Sequence, residues 1–339
     1  MLKQKYFLAD IFILSAEKQP IKLSWRKIEW LHKEGKNPSH WLYGAVEMEK
    51  EGHQVIWEKE TSSLLNDIKL VHKYNPDLIF IPNLNIRNHL LLLCLKRIGL
   101  IKKPITAYLH HTPKSGKVSI LYSFLLKALN HCFFLSAKTM KETIQGGYIK
   151  QDNCSEPGWG ADMIFYNKIE KSKGDYFIST GKENRDFELL IEVFKEAKVP
   201  LKIITCKSHA GNIYTDLTEK CKSLSNIEVI ITENTGDVYP MMVKEMANAK
   251  AIVCPLLQRR LNYCVGLSTI ADAEGLNKPL IITHNSYHSD ERTKIFNVVT
   301  NKQDWLHAIT LLKQPNQNLH TSILECYQKM KPFITKYGK

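Results

Sequence analysis

The sequence predicts an α/β protein made of two doubly wound domains, each a parallel sheet covered by helices. Three observations lead to this prediction. Short apolar runs of strand length alternate with amphipathic stretches of helical length. This alternation forms two successive series, one in each half of the chain. The 339 residues are also enough for two domains at about 100–200 residues each.

The strand candidates are apolar runs bounded by turn residues. The runs in the first half are residues 6–15, 54–58, 78–81, 105–110 and 132–136. The runs in the second half are residues 176–180, 201–205, 227–231, 251–255 and 279–283. The helix candidates are residues 41–51, 188–196, 238–249, 268–276 and 304–313. Strands that alternate with helices pair in parallel, because each crossover helix returns the chain to the same edge of the sheet.

Two apolar segments have some features of a signal peptide or a membrane span. Residues 1–20 hold a short apolar stretch broken by Asp10 and no signal-cleavage pattern, so they predict a first buried strand. Residues 118–137 have the length of a membrane span, but Lys127, Asn130 and His131 lie in the middle. A charge at that depth costs about 3 kcal/mol, which favours a buried core helix that runs into a strand. A cytoplasmic protein without a transmembrane anchor is expected.

Glycine, proline and polar residues cluster in residues 151–174 and mark a domain boundary. The predicted domains are residues 1–157 and 158–320, followed by a C-terminal helix in residues 321–339 that packs back on the first domain. Two doubly wound domains normally hold a ligand in the cleft between them, where the carboxyl ends of strands and the N-termini of helices converge.

The charge of the chain is concentrated in the first half. The whole chain has 47 Lys+Arg against 34 Asp+Glu, and residues 1–150 have 23 against 12, a net of +11. Such a half favours an anionic partner, which is a membrane surface, nucleic acid or an acidic ligand. The nearest approach to a basic patch is formed by Lys96, Arg97, Lys102, Lys103, Lys114 and Lys117. The alternative is a lysine-rich surface without a partner. The cysteines lack the spacing of a zinc site.

A glycine-rich turn before a helix lies in residues 262–283, NYCVGLSTIADAEGLNKPLIIT. Gly266 precedes the hydroxyls of Ser268 and Thr269, which stand in the predicted first turn of the helix. Unpaired N–H groups and the helix dipole at such an end suit phosphate oxygens. Asp272 follows Ser268 by about one turn, within reach of ribose hydroxyls. The alternative makes Ser268 only an N-cap and Asp272 only a first-turn charge.

Two cations follow a strand in residues 176–197, YFISTGKENRDFELLIEVFKEA. The strand ends at Gly181, and Lys182 and Arg185 come before the next helix. Cations beside a glycine at the carboxyl end of a strand suit a diphosphate leaving group, whose developing charge they would neutralise. Asp186 is the expected N-cap of the helix.

These two segments resemble the second-domain signatures of glycosyltransferase family 4, retaining enzymes of the two-Rossmann-domain GT-B class. Residues 180–194 resemble its strand–Gly–basic–Arg-Asp–helix element, and residues 266–283 resemble its glycine–hydroxyl–acid–Lys-Pro–strand element. Residues 158–165 are similar to its G-x-D-x-x-x-F motif, and residues 305–312 to a helix near the end of the chain. The first half matches more loosely, in residues 40–55 and at the strand that ends in His110.

The resemblance implies roles for particular residues. The implied catalytic residues are His110, Lys182 and Arg185. The implied donor-binding residues are Gly181, Gly266, Leu267, Ser268, Thr269 and Asp272. His110 would bind the transferred sugar or the leaving phosphate, and its alternative is a histidine that only caps a strand end. His40, in a predicted loop, would orient an acceptor hydroxyl or remain a surface histidine.

Three positions depart from the family pattern. Cys264 stands where the family commonly has a glutamate that contacts the sugar, and a thiol does not reproduce that contact. Asn277 replaces the glycine before Lys278, which a positive φ at asparagine tolerates. Residues 15–18 stand in place of a Gly-Gly loop after the first strand.

The function that the resemblance implies is transfer of a sugar from a nucleotide-diphosphate sugar to a hydroxyl acceptor, with a saccharide or lipid-linked acceptor in the first domain. Such acceptors belong to surface polysaccharides, glycolipids and glycoconjugates, and the basic first half would then face an anionic inner membrane surface. No cofactor or metal is required, and no nucleic acid is expected. The alternatives are a nucleotide-sugar epimerase of the same fold, a non-catalytic membrane- or nucleic-acid-binding protein, and an inactive enzyme-like subunit.

Overall fold

The computed structural model describes residues 10–13, 25–57, 64–113, 119–209, 212–233, 236–316 and 320–337. Contacts divide the chain into two compact units. The first unit comprises Met1–Lys33, Ser39–Gly158 and Ile323–Lys339, and the second comprises Glu34–Pro38 and Trp159–Ser322. Lys114 and Lys117 of the predicted basic patch, and residues 15–18, lie outside the described residues.

The first unit contains a six-stranded parallel sheet. Its strands are β1 (Asp10–Ile13), β2 (Gln54–Trp57), β3 (Leu78–Ile81), β4 (Ile105–Leu109), β5 (His131–Phe134) and β6 (Cys154–Ser155). Its first helices are α1 (Trp25–Lys33), α2 (Ala45–Lys50), α3 (Leu64–Tyr74), α4 (Leu90–Arg97), α5 (Ser119–Leu126) and α6 (Ala137–Gln145). The strands lie in the order β2-β1-β3-β4-β5-β6. Every residue of β3 and β4 is buried, which is why their sequences are continuously apolar rather than alternating.

The second unit contains another six-stranded parallel sheet, in the order β11-β8-β7-β12-β13-β14. Its strands are β7 (Phe177–Thr180), β8 (Leu201–Cys206), β11 (Ile227–Thr232), β12 (Ala251–Cys254), β13 (Leu280–Thr283) and β14 (Asn297–Val299). Two short strands, β9 (Ser208–His209) and β10 (Asn212–Ile213), form a separate antiparallel pair. Its helices are α7 (Met163–Tyr166), α8 (Phe187–Ala197), α9 (Leu217–Cys221), α10 (Tyr239–Asn248), α11 (Leu267–Leu276), α12 (Asp290–Thr293) and α13 (Lys302–Thr310). When the six strands of this sheet are numbered 1 to 6 along the chain, their order across the sheet is 3-2-1-4-5-6. This is the doubly wound order of a Rossmann fold.

The last helix, α14 (Ile323–Tyr337), belongs to the first unit although it follows the second in sequence. Phe333 stacks on the ring of His131 in β5, with 3.6 Å between the ring centroids. The Tyr327 hydroxyl donates to the Glu51 carboxylate at 2.8 Å, just beyond α2. The core of the first unit is therefore closed in part by the end of the chain.

The fold class predicted from the sequence is confirmed. Within the described residues all ten predicted strands are present, most with bounds that agree within two residues. The strands that the sequence did not predict are β6, β9, β10 and β14, each only two or three residues long. Runs of this length carry too little hydrophobic pattern to be recognised without their sheet partners.

Two helix predictions differ from the structure. The candidate at residues 41–51 is divided between a 3₁₀ turn, Ser39–Leu42, and α2, with Gly44 at φ 88° between them. Residues 118–137 do form a helix followed by a strand, α5 and β5. However, α5 is buried on only one face, since Ile120 is 82% exposed while Leu125 is fully buried. The expectation of a buried core helix is therefore wrong for half of its surface. Among the described residues, no helix combines the length and the apolar character needed to cross a bilayer.

Candidate functional site

The candidate site lies at the carboxyl edge of the second sheet, between β7 and β12. Here the order of the strands reverses, so the loops after β7 and β12 turn in opposite directions and leave a crevice. The two loops are joined by an antiparallel bridge between Arg185 and Leu256. The Leu257 N–H also donates to the Asn184 carbonyl at 2.9 Å. The structure thus brings together the two segments that the sequence singled out.

Arg185 connects the first of these loops to α11. Its side chain is buried, with 5% of the residue exposed. Nη2 donates to the Thr269 hydroxyl at 3.0 Å, and Nη1 donates to the Glu183 carbonyl at 2.8 Å. The buried Nε has no hydrogen-bond partner among the described residues. A guanidinium is therefore fixed beside the first turn of α11, with one donor available.

The backbone of Gly181 makes room for this guanidinium. Its φ is 105°, a value that L side chains rarely adopt. A Cβ at this position would lie 2.7 Å from Nη2 of Arg185. The glycine at the end of β7 is thus required by its own backbone and by the neighbouring cation. Lys182 follows directly, half-buried, and its carbonyl accepts from the Tyr214 hydroxyl at 2.8 Å.

The N-terminus of α11 has Gly266 as its N-cap residue, with φ 92°. No side chain caps this end, so the alternative of Ser268 as an N-cap is wrong. Ser268 is half-buried, whereas the other nine residues of α11 are buried. The helix begins at Leu267, whose N–H donates to the Cys264 carbonyl at 3.3 Å. The N–H groups of Ser268 and Thr269, next in the first turn, have no partner within the helix. An uncapped helix N-terminus and a buried guanidinium lie side by side, which together favour an anion.

The loop before α11 is held by two residues that the sequence did not single out. Asn285 donates from Nδ2 to the carbonyls of Tyr263 and Val265, at 2.9 and 3.3 Å. His288 donates from Nε2 to the Val265 carbonyl at 2.8 Å. Burial lowers the pKa of His288 to about 4, which keeps its ring neutral. Their only signal in the sequence is that both follow β13 at the carboxyl edge of the sheet.

Asp272 lies in the second turn of α11 and is buried, so it is not a first-turn surface charge. Its Oδ1 accepts hydrogen bonds from the hydroxyls of Tyr166 and Tyr239, at 2.6 and 2.7 Å. Burial raises the pKa of Asp272 to about 6, although both hydroxyls oppose this shift. Burial also raises the pKa of both tyrosines well above the usual range, so they remain donors. Contact of Asp272 with a ribose stays a prediction.

Replacing Asp272 with asparagine should remove a pH-dependent part of the stability of the second unit. The folded-state pKa of about 6 lies above the ordinary value of 3.8, so the folded state holds a proton that the unfolded state releases between these values. The free energy of unfolding of the wild type should therefore fall relative to Asp272→Asn as the pH rises from about 4 to about 6, by roughly 2–3 kcal/mol. Urea unfolding across this pH range measures the difference. Parallel curves for the two proteins would contradict it.

Cys264, at the position where the family pattern has a glutamate, is buried with 5% of the residue exposed. It lies two residues before the N-cap of α11. This loop therefore provides a buried thiol where the resemblance calls for a carboxylate. Residues 255–266, between β12 and α11, contain no Asp or Glu.

His110 of the first unit is half-buried immediately after β4. Its Nε2 lies 3.2 Å from the Pro82 carbonyl, which only accepts, so Nε2 carries the proton. The pKa of His110 is lowered to about 4, mainly by burial and in smaller part by the neighbouring His111. The ring is therefore neutral at pH 7, and Nδ1 is its acceptor nitrogen. This geometry suits a hydrogen bond from a hydroxyl better than neutralisation of a phosphate.

His40 of the first unit lies in a 3₁₀ turn, Ser39–Leu42, and is fully buried. The alternative of a surface histidine is therefore wrong. The predicted contact with an acceptor stays a prediction.

Solved structures with a similar fold include two glycosyltransferases and a nucleotide-sugar epimerase. A glycosyltransferase from Rickettsia africae is similar over 98% of this chain and 100% of its own, with a TM-score of 0.68 and 13% identity. A glycosyltransferase involved in avilamycin A biosynthesis is similar over 97% and 98%, with a TM-score of 0.59 and 10% identity. A UDP-GlcNAc 2-epimerase from Methanocaldococcus jannaschii, in complex with UDP-GlcNAc and UDP, is similar over 96% and 99%, with a TM-score of 0.52 and 14% identity.

At these identities the likeness establishes the fold, which is the GT-B fold of two Rossmann-like units. No protein-family model matches the sequence, and no curated protein matches it significantly. Transferases and epimerases share this fold, so the reaction has to be argued from the site.

Proposed function

We propose that the chain is a retaining glycosyltransferase of family 4 that moves a sugar from a nucleotide-diphosphate sugar to a hydroxyl acceptor. The observation that carries the proposal is the pairing of Arg185 with the uncapped N-terminus of α11, at the point where the strand order of the second sheet reverses. Ligands of doubly wound sheets bind at this point, and phosphates bind at helix N-termini.

In the proposed donor complex the diphosphate accepts hydrogen bonds from the N–H groups of Ser268 and Thr269 in the first turn of α11. Nε of Arg185 adds a charge-assisted hydrogen bond, and Lys182 supplies a second positive charge. Gly266, Leu267, Ser268 and Thr269 form the phosphate-binding turn. Gly181 belongs to the donor site because it leaves the space that the Arg185 guanidinium fills. Asp272 is assigned to the ribose. All these residues belong to the second unit.

The proposed catalysis is electrostatic. The bond between the sugar and the diphosphate breaks with growth of negative charge on the leaving oxygen. The fixed guanidinium of Arg185 and the helix dipole stabilise that charge without rearranging. The neutral His110 would accept a hydrogen bond from a sugar hydroxyl at Nδ1. The acceptor hydroxyl attacks from the side of the departing diphosphate, whose leaving oxygen takes up the hydroxyl proton. This attack retains the configuration of the sugar and needs no protein nucleophile, metal or cofactor.

The acceptor is assigned to the first unit, where His40 would orient its hydroxyl. We propose a saccharide or lipid-linked acceptor from surface polysaccharide, glycolipid or glycoconjugate biosynthesis. The enzyme would work in the cytoplasm at the inner face of a membrane, since the first 150 residues have a net charge of +11.

A nucleotide-sugar epimerase is the second candidate, and the similarity to the Methanocaldococcus jannaschii epimerase favours it. An epimerase changes its substrate without an acceptor. The two functions therefore differ in one measurable requirement, while the donor site proposed above is common to both.

Calorimetric titration with nucleoside diphosphates and their sugars tests the donor site. We expect binding of at least one nucleoside diphosphate at micromolar to millimolar concentration, because the site offers a cation and a helix N-terminus to one diphosphate. No binding of any nucleotide would overturn the proposal. Consumption of the bound donor only in the presence of acceptor extracts supports a transferase, and isomerisation without an acceptor supports an epimerase.

A further inference from the structure

A group of exposed apolar side chains lies on the first unit, in the turn that follows α4 and on α5. Its members are Ile98, Leu100, Ile120, Leu121 and Phe124. We call them the α4–α5 surface. Leu100 is 71% exposed and Ile120 is 82% exposed. Contiguous apolar surface with a polar rim marks an interaction site, whereas single exposed apolar residues are ordinary.

The sequence of α5 accounts for three of the five members of this surface. SILYSFLL contains no charged residue. Leu125 and Leu126 fill the core of the first unit, while Ile120, Leu121 and Phe124 lie on the opposite, exposed face. Surface helices of globular proteins normally have a polar outer face, and a helix that is apolar on all sides needs apolar surroundings on all sides.

The rim of the α4–α5 surface is positively charged. Residues 78–141 contain ten Lys and Arg and no Asp or Glu. The guanidinium of Arg97 lies 5.3 Å from the ring centroid of Phe124, which joins the two helices. Lys127 is exposed one turn beyond Phe124. Lys102 is exposed on the turn after α4, and its carbonyl accepts from Nζ of Lys96 at 3.2 Å.

We propose that the α4–α5 surface docks onto a lipid bilayer with anionic headgroups. The apolar side chains enter the boundary between headgroups and acyl chains, and the cations remain at the level of the phosphates. Reversible membrane binding becomes stable when apolar insertion and charge attraction act together, and this surface provides both. The combination of apolar and positively charged side chains determines which partner fits this surface. A second copy would bring like charges together, and nucleic acid would leave the apolar side chains in water.

The proposal rests on the membrane location given under the proposed function, and it concerns residues outside the donor site. It can therefore fail while nucleotide binding and sugar transfer stand. Flotation of the full chain tests it, with vesicles of phosphatidylcholine and phosphatidylglycerol in equal amounts and with vesicles of phosphatidylcholine alone. We expect flotation with the mixed vesicles only. Two double variants, Leu100→Ser with Ile120→Ser and Lys102→Gln with Lys127→Gln, should each weaken binding by about tenfold or more.

Matched controls lie on the second unit. Ile213→Ser with Leu311→Ser removes apolar side chains of similar exposure, and Lys173→Gln with Lys195→Gln removes exposed charges. Both control pairs should keep vesicle binding, and all four double variants should keep nucleotide binding. Absence of flotation with the mixed vesicles, or flotation that both α4–α5 pairs retain, would overturn the proposal. So would a dimer that Leu100→Ser with Ile120→Ser dissociates, or RNA binding that needs the lysines but not the apolar residues.

Discussion

Replacing Arg185 with glutamine should weaken nucleoside diphosphate binding and lower the rate of donor consumption by about 10²–10³-fold, the loss typical of removing one donor to developing charge. The buried guanidinium is already fixed by Thr269 and the Glu183 carbonyl, so it costs no reorganisation in the transition state. Glutamine keeps a polar side chain but removes the charge and the two Nη donors. Titration calorimetry and initial rates with the bound nucleotide sugar measure both effects.

Two further variants separate this effect from loss of structure. Arg185→Lys keeps the charge but loses the planar fork, so it should retain part of the affinity. Lys195→Gln removes an exposed cation from α8 in the same unit and should change neither binding nor rate. An Arg185→Gln protein with the wild-type melting temperature and unchanged affinity would remove Arg185 from the donor site.

Replacing Arg292 with alanine should lower the free energy of unfolding of the second unit by about 3–5 kcal/mol, the cost of leaving one partner of a buried ion pair uncompensated. Nε and Nη2 of Arg292 donate to the two carboxylate oxygens of Glu274, at 2.7 and 2.5 Å. Nη1 donates to the Trp159 carbonyl at 2.7 Å. The Glu274 side chain is fully buried, so its carboxylate cannot turn to water. Urea unfolding, followed by tryptophan fluorescence, measures the loss.

The controls for this prediction use the pair itself and an exposed ion pair. Glu274→Leu with Arg292→Leu removes both charges and should recover much of the loss, because no buried charge is left without a partner. The pair of Lys302 and Glu196, at 2.8 Å, is exposed to water and screened by it, so Lys302→Ala should have little effect. Equal effects of Arg292→Ala and Lys302→Ala would contradict a role of burial.

The fold could be predicted from the sequence because its main strands are continuous apolar runs separated by helical stretches. Local signals also gave correct details, including Asp186 as the N-cap of α8 and Asn277 as the residue of positive φ that ends α11. The short edge strand β14 was missed, because three residues carry no period of their own and are recognised only by pairing with β13.

The candidate site was predicted as two separate segments, and the structure joined them. The hydroxyl of Thr269 was expected to face a phosphate, but in this structure it accepts from Arg185, which lies 84 residues earlier. Asn285 and His288 were not predicted, since an asparagine or a histidine after a strand has no distinctive pattern. Their roles arise from the position of β13 beside β12 in the sheet.

The sequence by itself determined which of the longer segments become strands and helices, and which half of the chain is basic. These properties depend on the period and chemistry of neighbouring residues. Only the tertiary structure decided that Asp272 is buried between Tyr166 and Tyr239, that Arg185 lies at the start of α11, and that one face of α5 remains uncovered. Burial and contact depend on which elements pack together, and the order of strands in the sheets sets that packing over distances that no local pattern spans.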